Sequence, residues 1–299
     1  MVTDFFCVDV FGVGPYTGNP LAVFLRGELY DDETMQLLAR EMNLSETTFL
    51  MSDSITTMDG IPTVDVRIFT PVAEIPFAGH PTLGTAFVFQ QEFLKQAYPT
   101  VNLRMKAGVI PVDMVYEDHR PQKLVMTQNQ PIFGETFPSA LIAAILSLKE
   151  EDIEDSTPIQ MVSTGLPFLI VPLRHLDATN RARIHSATLE DAFREKELPN
   201  ILIYTTETVH DHDYHVRVFV PELGVSEDPA TGSANGCLCA YLSKYDTNRR
   251  GNYRAIVEQG YMIKRPSLLY LEGERNADQY VIRVGGGVTP VYRGTLMRS

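Results

Sequence analysis

The fold is decided by two junctions at which a loop runs into a helix: Phe77–Ala86 (FAGHPTLGTA) and Glu227–Gly236 (EDPATGSANG). Each junction combines small residues with a polar side chain at a predicted helix start. Helix starts carry unpaired N–H groups and a partial positive charge, so they bind anions. A cleft between two such starts would bind an anion even in a chain of net charge −13. The alternative is that these polar side chains only cap their helices.

The two junctions belong to a longer internal repeat. Three strings recur in the same order, at offsets between 147 and 150 residues. They are Gly18–Val23 with Gly165–Ile170, Val66–Pro71 with Val216–Pro221, and His80–Ala86 with Asp228–Ala234. Solenoid and propeller units have only about 20–50 residues. We therefore predict two similar domains, residues 1–127 plus 286–299 and residues 128–285.

Short strand-type runs alternate with helix-type runs in both halves. The spacing of apolar residues predicts an amphipathic helix over Asp32–Met42. A second helix is predicted over Pro81–Phe93, with proline at an early position where a missing N–H costs nothing. Gln128–Pro138 carries Pro, Gly and Asn and is the predicted linker. Val288–Leu296 is a predicted strand that returns to complete the first domain.

The composition excludes several classes of protein. The chain has 299 residues, of which 44% are hydrophobic and 21% charged, as in an ordinary globular protein. Its acidic balance argues against nucleic acid or an anionic membrane as a partner. Thr136–Leu148, the longest candidate apolar helix, is shorter than the roughly 20 residues of a membrane span.

The three cysteines, Cys7, Cys237 and Cys239, predict a reducing compartment. Their number is odd and the last two are too close for an ordinary disulfide, so the cytoplasm is the expected location. The opening residues have no basic run, so we expect no secretory signal. Cys237 and Cys239 fall inside the second predicted helix and are interpreted as small core residues rather than nucleophiles.

Glu46 is the first candidate catalytic residue. It lies in Asn43–Leu50 (NLSETTFL), where a carboxylate is out of pattern in an otherwise apolar and hydroxylated strand. Burial of an ionised carboxylate is costly, so we expect Glu46 to hold a proton near neutrality. A general acid/base requires that property. The alternative is a glutamate at a strand edge that faces water or takes part in a cap.

Two histidine features have competing interpretations. His80 could relay protons, or it could be a packed side chain bonded to the backbone. His210–His215 (HDHDYH) resembles a metal-binding run, but alternate residues of an extended strand point to opposite faces, which separates its histidines from its aspartates. We predict a solvated loop and no metal site.

Gly12–Gly18 (GVGPYTG) lacks the spacing and the helix of a dinucleotide fingerprint.

Four strings resemble those of the phenazine biosynthesis PhzF-like isomerases: Gly18–Val23, Ser45–Thr47, Gly79–Thr82 and Asp228–Ser233. Their order and spacing fit over essentially the whole chain. The resemblance implies an α+β, diaminopimelate-epimerase-like fold of two similar domains. In each, a curved, mostly antiparallel sheet wraps around a central helix. It also implies a site between the domains, where both helix starts point, and a homodimer.

The resemblance further implies the chemistry, a cofactor-free proton shift on a dihydro-hydroxyanthranilate-type ring. At the matching positions, Glu46 would remove a proton from carbon and return it elsewhere on the same face. His80, Asp228 and Ser233 would line the site and position or relay protons. The expected partner is a small anionic substrate, with no nucleic acid, membrane, metal or organic cofactor.

The predicted substrate-binding residues lie in the same strings. Backbone N–H groups near Gly79, Thr231 and Gly232, together with that of the adjacent serine, would hold the substrate carboxylate. Asn19 and Ser45 are also predicted to bind substrate, because they lie in matching strings.

Two alternatives stay open from the sequence. One is an epimerase or racemase of a small amino or hydroxy acid. The related racemases place a cysteine at each junction, whereas this chain has His80 and Asp228 there, which argues against two-thiol chemistry. The other alternative is a scaffold that binds a metabolite without catalysis.

Overall fold

The structure, a computed structural model, describes residues 3–52, 55–221, 225–246, 252–277 and 279–297. The chain divides into two compact units, which we call unit 1 (Met1–Thr127 with Gly285–Ser299) and unit 2 (Gln128–Val284). The sequence-based prediction placed the two divisions after residue 127 and before residue 286. None of the described helices is long and apolar enough to span a membrane.

Unit 1 consists mainly of strands, with two α-helices in its described residues. The strands are β1 (Thr3–Val10), β2 (Asn19–Phe24), β3 (Thr47–Leu50), β4 (Thr56–Met58), β5 (Ile61–Phe69), β6 (Glu74–Ile75), β7 (Thr100–Met105), β8 (Gly108–Glu117), β9 (Arg120–Thr127) and β19 (Val288–Leu296). The helices are α1 (Asp32–Met42) and α2 (Gly79–Phe89), and a π-helical turn, Gln90–Leu94, continues α2.

Antiparallel pairs dominate the strand pairing of unit 1. β1 pairs with β19 and β2, and β7, β8 and β9 follow one another in antiparallel order. β2 pairs with β3, and β5 with β7, in parallel. β3 joins the two parts through an antiparallel pairing with β5. The pairing of β19 with β1 confirms the predicted return of the last strand.

α2 is the central helix of unit 1. All its residues are buried, as expected for a helix that is apolar on every side. It packs on β1, β2, β3, β7, β8 and β9. A Cβ at Gly84 would lie 2.6 Å from Leu21 Cδ2 and 2.9 Å from Val10 Cγ2, so glycine lets the helix approach the strands.

Unit 2 repeats this plan with additional short helices. Its strands are β10 (Ile132–Thr136), β11 (Gln160–Ser163), β12 (Pro167–Pro172), β13 (Asn200–Thr205), β14 (Tyr214–Val220), β15 (Val225–Asp228), β16 (Asn252–Gln259), β17 (Ser267–Asn276) and β18 (Gln279–Gly286), whose last two residues belong to unit 1. Its α-helices are α3 (Ser139–Ile145), α4 (Leu176–Arg181), α5 (Ser186–Ala192) and α6 (Gly232–Tyr245). β10 lies inside the predicted linker, which is thus part of the sheet.

The strand order and an ion pair that occurs in both units show that the units are repeats. β12, β13, β14 and β16 pair in the same sequence of parallel and antiparallel contacts as β2, β3, β5 and β7. Arg67 donates two hydrogen bonds to Glu74, and Arg217 donates two to Glu227. α6 is the central helix of unit 2, buried from Gly232 to Leu242. The predicted α+β fold of two similar domains is confirmed.

The third repeated string is aligned differently from the prediction. In unit 1, Ile68 of β5 pairs with Ile75. The equivalent residue of β14 is Val218, and it pairs with Asp228. Asp228 is therefore equivalent to Ile75, and His80 is equivalent to Ser233, the second residue of α6 as His80 is of α2. The predicted match of His80 with Asp228 is wrong, because string comparison does not register which residues pair across strands.

Candidate active site

Glu46 lies between α1 and β3. α1 ends at Met42, and Asn43 closes it in the left-handed region at φ 50°. The chain passes the half-buried Ser45 and reaches β3 at Thr47. Glu46 thus precedes the strand in which the sequence pattern placed it. Its side chain is only 13% exposed, so it does not face bulk water.

A buried hydroxyl pair fixes this segment against α2. The hydroxyl groups of Thr48 on β3 and Thr85 on α2 are 2.7 Å apart, and both side chains are fully buried. Thr48 is two residues from Glu46, and Thr85 is five residues from His80. The contact therefore holds β3 against α2 close in sequence to both candidate catalytic groups.

His80 contacts Glu46 directly. Its Nε2 lies 3.5 Å from Glu46 Oε2, and its side chain is 6% exposed. The ring also hydrogen bonds with the backbone of Pro20. Proline has no N–H, so the ring N–H donates to the Pro20 carbonyl. Because Nε2 has no hydrogen-bond partner among the described residues, we assign this proton to Nδ1.

The His80–Glu46 contact is not an ion pair at neutral pH. Burial lowers the pKa of His80 to about 3, although the hydrogen bond to Pro20 acts in the opposite direction. Desolvation disfavours the charged imidazolium. His80 is therefore neutral, with a lone pair on Nε2 that lies toward the Glu46 carboxyl.

Asn19 and Gly79 complete the group in unit 1. Asn19 is fully buried and begins β2, directly before the proline whose carbonyl accepts from His80. Gly79 is the first residue of α2. The structure thus brings Asn19, Glu46, Gly79 and His80 together at the start of the central helix.

A second group surrounds the start of α6 in unit 2. Asp228 ends β15, four residues before α6 begins, so it is not at the helix start where the sequence pattern placed it. Thr231 is the N-cap, and its hydroxyl donates to Asp228 Oδ2 at 2.5 Å. Gly232 and Ser233 are the first two residues of the helix, and both are buried.

Gln259 holds this second group and was missed by the sequence analysis. Its Nε2 donates to the Asp228 carbonyl at 2.9 Å and lies 3.1 Å from Thr231 Oγ1. Its Oε1 accepts from Thr231 N at 3.3 Å and from Asn235 Nδ2 at 2.8 Å. The sequence gives only a weak signal: Gln259 is a polar residue that follows Glu258 at the end of β16 and precedes Gly260.

Comparison with known proteins shows where the chain belongs. Residues 8–294 match the family described as "Phenazine biosynthesis-like protein". The chain belongs to this family. The trans-2,3-dihydro-3-hydroxyanthranilate isomerase of Pseudomonas aeruginosa is 34% identical over 267 residues, which cover 89% of each chain. The crystal structure of the Bacillus anthracis phenazine biosynthesis protein of the PhzF family matches with a TM-score of 0.88, at 25% identity and over 100% of both chains.

Membership of the PhzF family makes this chain an enzyme, an isomerase. The alternative of a non-catalytic scaffold is therefore set aside. The hydroxyproline epimerase of Agrobacterium vitis also matches, with a TM-score of 0.64 at 11% identity over 99% of this chain and 92% of its own. That likeness concerns the fold alone.

The cysteines of this PhzF-family chain lie in the core. Cys237 and Cys239 are fully buried inside α6. Burial raises the pKa of Cys237 to about 11 and that of Cys239 to about 12. Because the thiolate is the reactive form, burial supports the interpretation of both as core residues rather than nucleophiles. At the equivalent second positions of the central helices, the chain has His80 and Ser233.

The histidine run is a solvated loop, as the sequence predicted, only at its start, where His210 and Asp211 are exposed and precede β14. His215 lies in β14 and is fully buried. Its Nδ1 is 2.9 Å from Glu258 Oε1, and His212 Nδ1 is 3.1 Å from Glu258 Oε2. Within the described ranges, no group of three or more His, Cys, Asp or Glu side chains could hold a metal ion.

Proposed function

We propose that this isomerase moves a proton between carbon atoms of a small carboxylated ring of the dihydro-hydroxyanthranilate type, without a cofactor. The contact between Glu46 Oε2 and His80 Nε2, 3.5 Å apart and largely buried, carries this proposal. The name of the Pseudomonas aeruginosa relative supports the substrate class.

In this mechanism Glu46 is the general base and then the general acid. Its carboxylate removes a proton from one carbon, and the electron pair left behind delocalises over the conjugated ring. The protonated carboxyl exchanges its proton with solvent and then delivers a proton to another carbon on the same face. In this proposal, proximity of the Glu46 carboxyl to the substrate and its ready exchange of a proton accelerate the reaction.

His80 stabilises the protonated carboxyl between the two transfers. Its Nδ1–H donates to the Pro20 carbonyl, which keeps Nε2 free of a proton. A proton on Glu46 Oε2 would find this lone pair as its acceptor. His80 therefore acts as a hydrogen-bond acceptor and not as an acid, which agrees with its low pKa.

The start of α6 is proposed to hold the substrate carboxylate. The first N–H groups of a helix have no acceptor within the helix, and the helix dipole favours an anion there. The Thr231 N–H donates to Gln259 Oε1, so the proposal rests on the N–H groups of Gly232 and Ser233 and not on that of Thr231. That both units bind one substrate stays a prediction, supported by the equivalent starts of α2 and α6.

The reaction in deuterated water tests this proposal. Wild-type enzyme is incubated with trans-2,3-dihydro-3-hydroxyanthranilate, and the product is followed by NMR. The proposal predicts a product with shifted double bonds and solvent deuterium at the new C–H carbon. Inversion at one carbon with unmoved double bonds would instead indicate an epimerase. An unchanged substrate would refute the proposed substrate class.

The resemblance to the family also leads us to propose that the protein is a homodimer. The cysteine pattern leads us to propose that it is located in the cytoplasm. Sedimentation equilibrium tests the first of these, because the monomer has a mass of 33.5 kDa. A single species of that mass at micromolar concentration would contradict the dimer.

A further inference from the structure

We propose that Gln259 is a positioning residue, which fixes the loop from Asp228 to Thr231 so that the first amides of α6 meet the substrate carboxylate. This inference rests on the proposed function, since it assigns the part of the protein that shapes the anion site.

The four contacts of Gln259 hold both ends of this loop. Its Nε2 donates to the Asp228 carbonyl, at the end of β15. Its Oε1 accepts from the N-cap amide of Thr231 and from Asn235 in the first turn of α6. The Thr231 hydroxyl lies 3.1 Å from Gln259 Nε2 and donates to the Asp228 carboxylate. The fully buried side chain of Gln259 thus positions the backbone of this loop and, through the Thr231 hydroxyl, the Asp228 carboxylate.

The turn after Gln259 holds the middle of the same loop. Gly260 has φ 79°, and a Cβ there would lie 2.3 Å from the Arg265 carbonyl oxygen and 2.5 Å from that of Pro229. Only glycine allows this approach to the loop. Ser267 Oγ lies 3.0 Å from the Pro229 carbonyl and is fully buried. Gln259, Gly260 and Ser267 therefore hold successive backbone groups of the loop.

The fold itself does not require a polar residue at this position. In the repeat of unit 1, the last residue of β7 is Met105, which occupies the place of Gln259 on β16. The Met105 sulfur lies 3.9 Å from Thr82 Oγ1. A thioether thus suffices beside the start of α2. The glutamine instead lies beside α6, the helix whose start is proposed to bind the carboxylate.

The test replaces Gln259 by the residue that the repeat uses, Gln259→Met. The matched control is Gln160→Met, because Gln160 is a buried glutamine of the same unit. It donates to the Gly134 carbonyl at 2.8 Å and accepts from the Tyr245 hydroxyl at 2.8 Å. Both variants lose buried hydrogen bonds, so both are expected to have a lower Tm.

Only Gln259→Met is expected to weaken substrate binding. We predict that its KM for trans-2,3-dihydro-3-hydroxyanthranilate rises about tenfold or more, with kcat within about threefold of wild type. A structural role alone would lower the Tm and leave KM unchanged, as expected for Gln160→Met. Equal KM values for the two variants, or a loss confined to kcat, would overturn the proposal.

A second variant serves if Gln259→Met does not fold. Gln259→Glu has nearly the same shape and keeps the acceptor for Thr231 N, but it loses the donor to the Asp228 carbonyl and adds a negative charge below the helix start. Its KM for the anionic substrate is expected to rise by about tenfold or more at low salt and to fall as salt screens the charge. A KM equal to that of wild type would contradict the proposal.

Failure of the proposed function would be recognised separately. If wild-type enzyme leaves the substrate unchanged, the reaction assigned to the site is wrong, and Gln259 is tested without turnover. Hydrogen exchange of the Gly232 and Ser233 amides is then measured by NMR in both methionine variants. Positioning by Gln259 predicts exchange about tenfold faster or more in Gln259→Met only. Equal exchange in the two variants would overturn the inference.

Discussion

The titration of His80 offers a prediction with a magnitude that follows from its burial. Burial lowers the pKa of His80 from 6.5 to about 3. Between these values the unfolded chain binds a proton that the native protein does not, so the free energy of unfolding falls as the pH decreases. The contribution is fully present above pH 6.5 and is lost progressively toward pH 3. One proton corresponds to about 1.4 kcal/mol per pH unit.

His80→Asn removes the group that binds this proton in the unfolded chain. Between pH 5.5 and 4.5, both inside the window set by a native pKa of about 3, the slope of unfolding free energy against pH should be smaller in His80→Asn. The difference is about 1.3 kcal/mol per pH unit. Urea denaturation at the two pH values measures both slopes.

NMR of the labelled histidine rings gives an independent readout. The His80 signal is assigned by its absence from His80→Asn, and it is expected to keep its neutral position from pH 7.5 down to about pH 4.5. A midpoint near 6.5 in the folded protein, or equal slopes for the two proteins in urea, would refute the assignment of a neutral His80.

Two further predictions concern the repeat and the cysteines. Arg217→Met leaves Glu227, which is 6% exposed, as a buried carboxylate without its bidentate partner, and should lower the free energy of unfolding by about 3–5 kcal/mol. The equivalent Arg67→Met should have a smaller cost, because Arg67 is 22% exposed, and equal costs in denaturant unfolding would contradict this. Replacement of Cys237 and Cys239 by alanine should leave kcat/KM within about twofold of wild type, since burial raises the pKa of both thiols. A large loss of activity in a double variant of unchanged Tm would show that a thiol takes part.

Features that depend on neighbouring residues could be predicted from the sequence. Asp32–Met42 is a helix with the predicted bounds, because Asp31 accepts from the Thr34 amide at its start and Asn43 takes the left-handed conformation at its end. The duplication was visible because equivalent strands need the same alternation of apolar residues.

Features that depend on distant residues could not be predicted in this way. The carbonyl of Pro20 determines which nitrogen of His80 carries the proton, although the two residues are 60 positions apart. The five-residue error in matching His80 to the second unit has the same origin, because strand pairing and not string similarity aligns the repeats. Gln259 was missed since only folding brings it to the start of α6.

The role of Glu46 is the central claim, and Glu46→Gln tests it most directly. Glutamine has nearly the same shape but neither removes nor returns a proton. Wild type and variant are compared for transfer of deuterium from solvent to the carbon of trans-2,3-dihydro-3-hydroxyanthranilate, with Tm as the control for folding. The proposal predicts a rate lower by about 10²-fold or more in Glu46→Gln at an unchanged Tm. Exchange at the wild-type rate in the folded variant would contradict it.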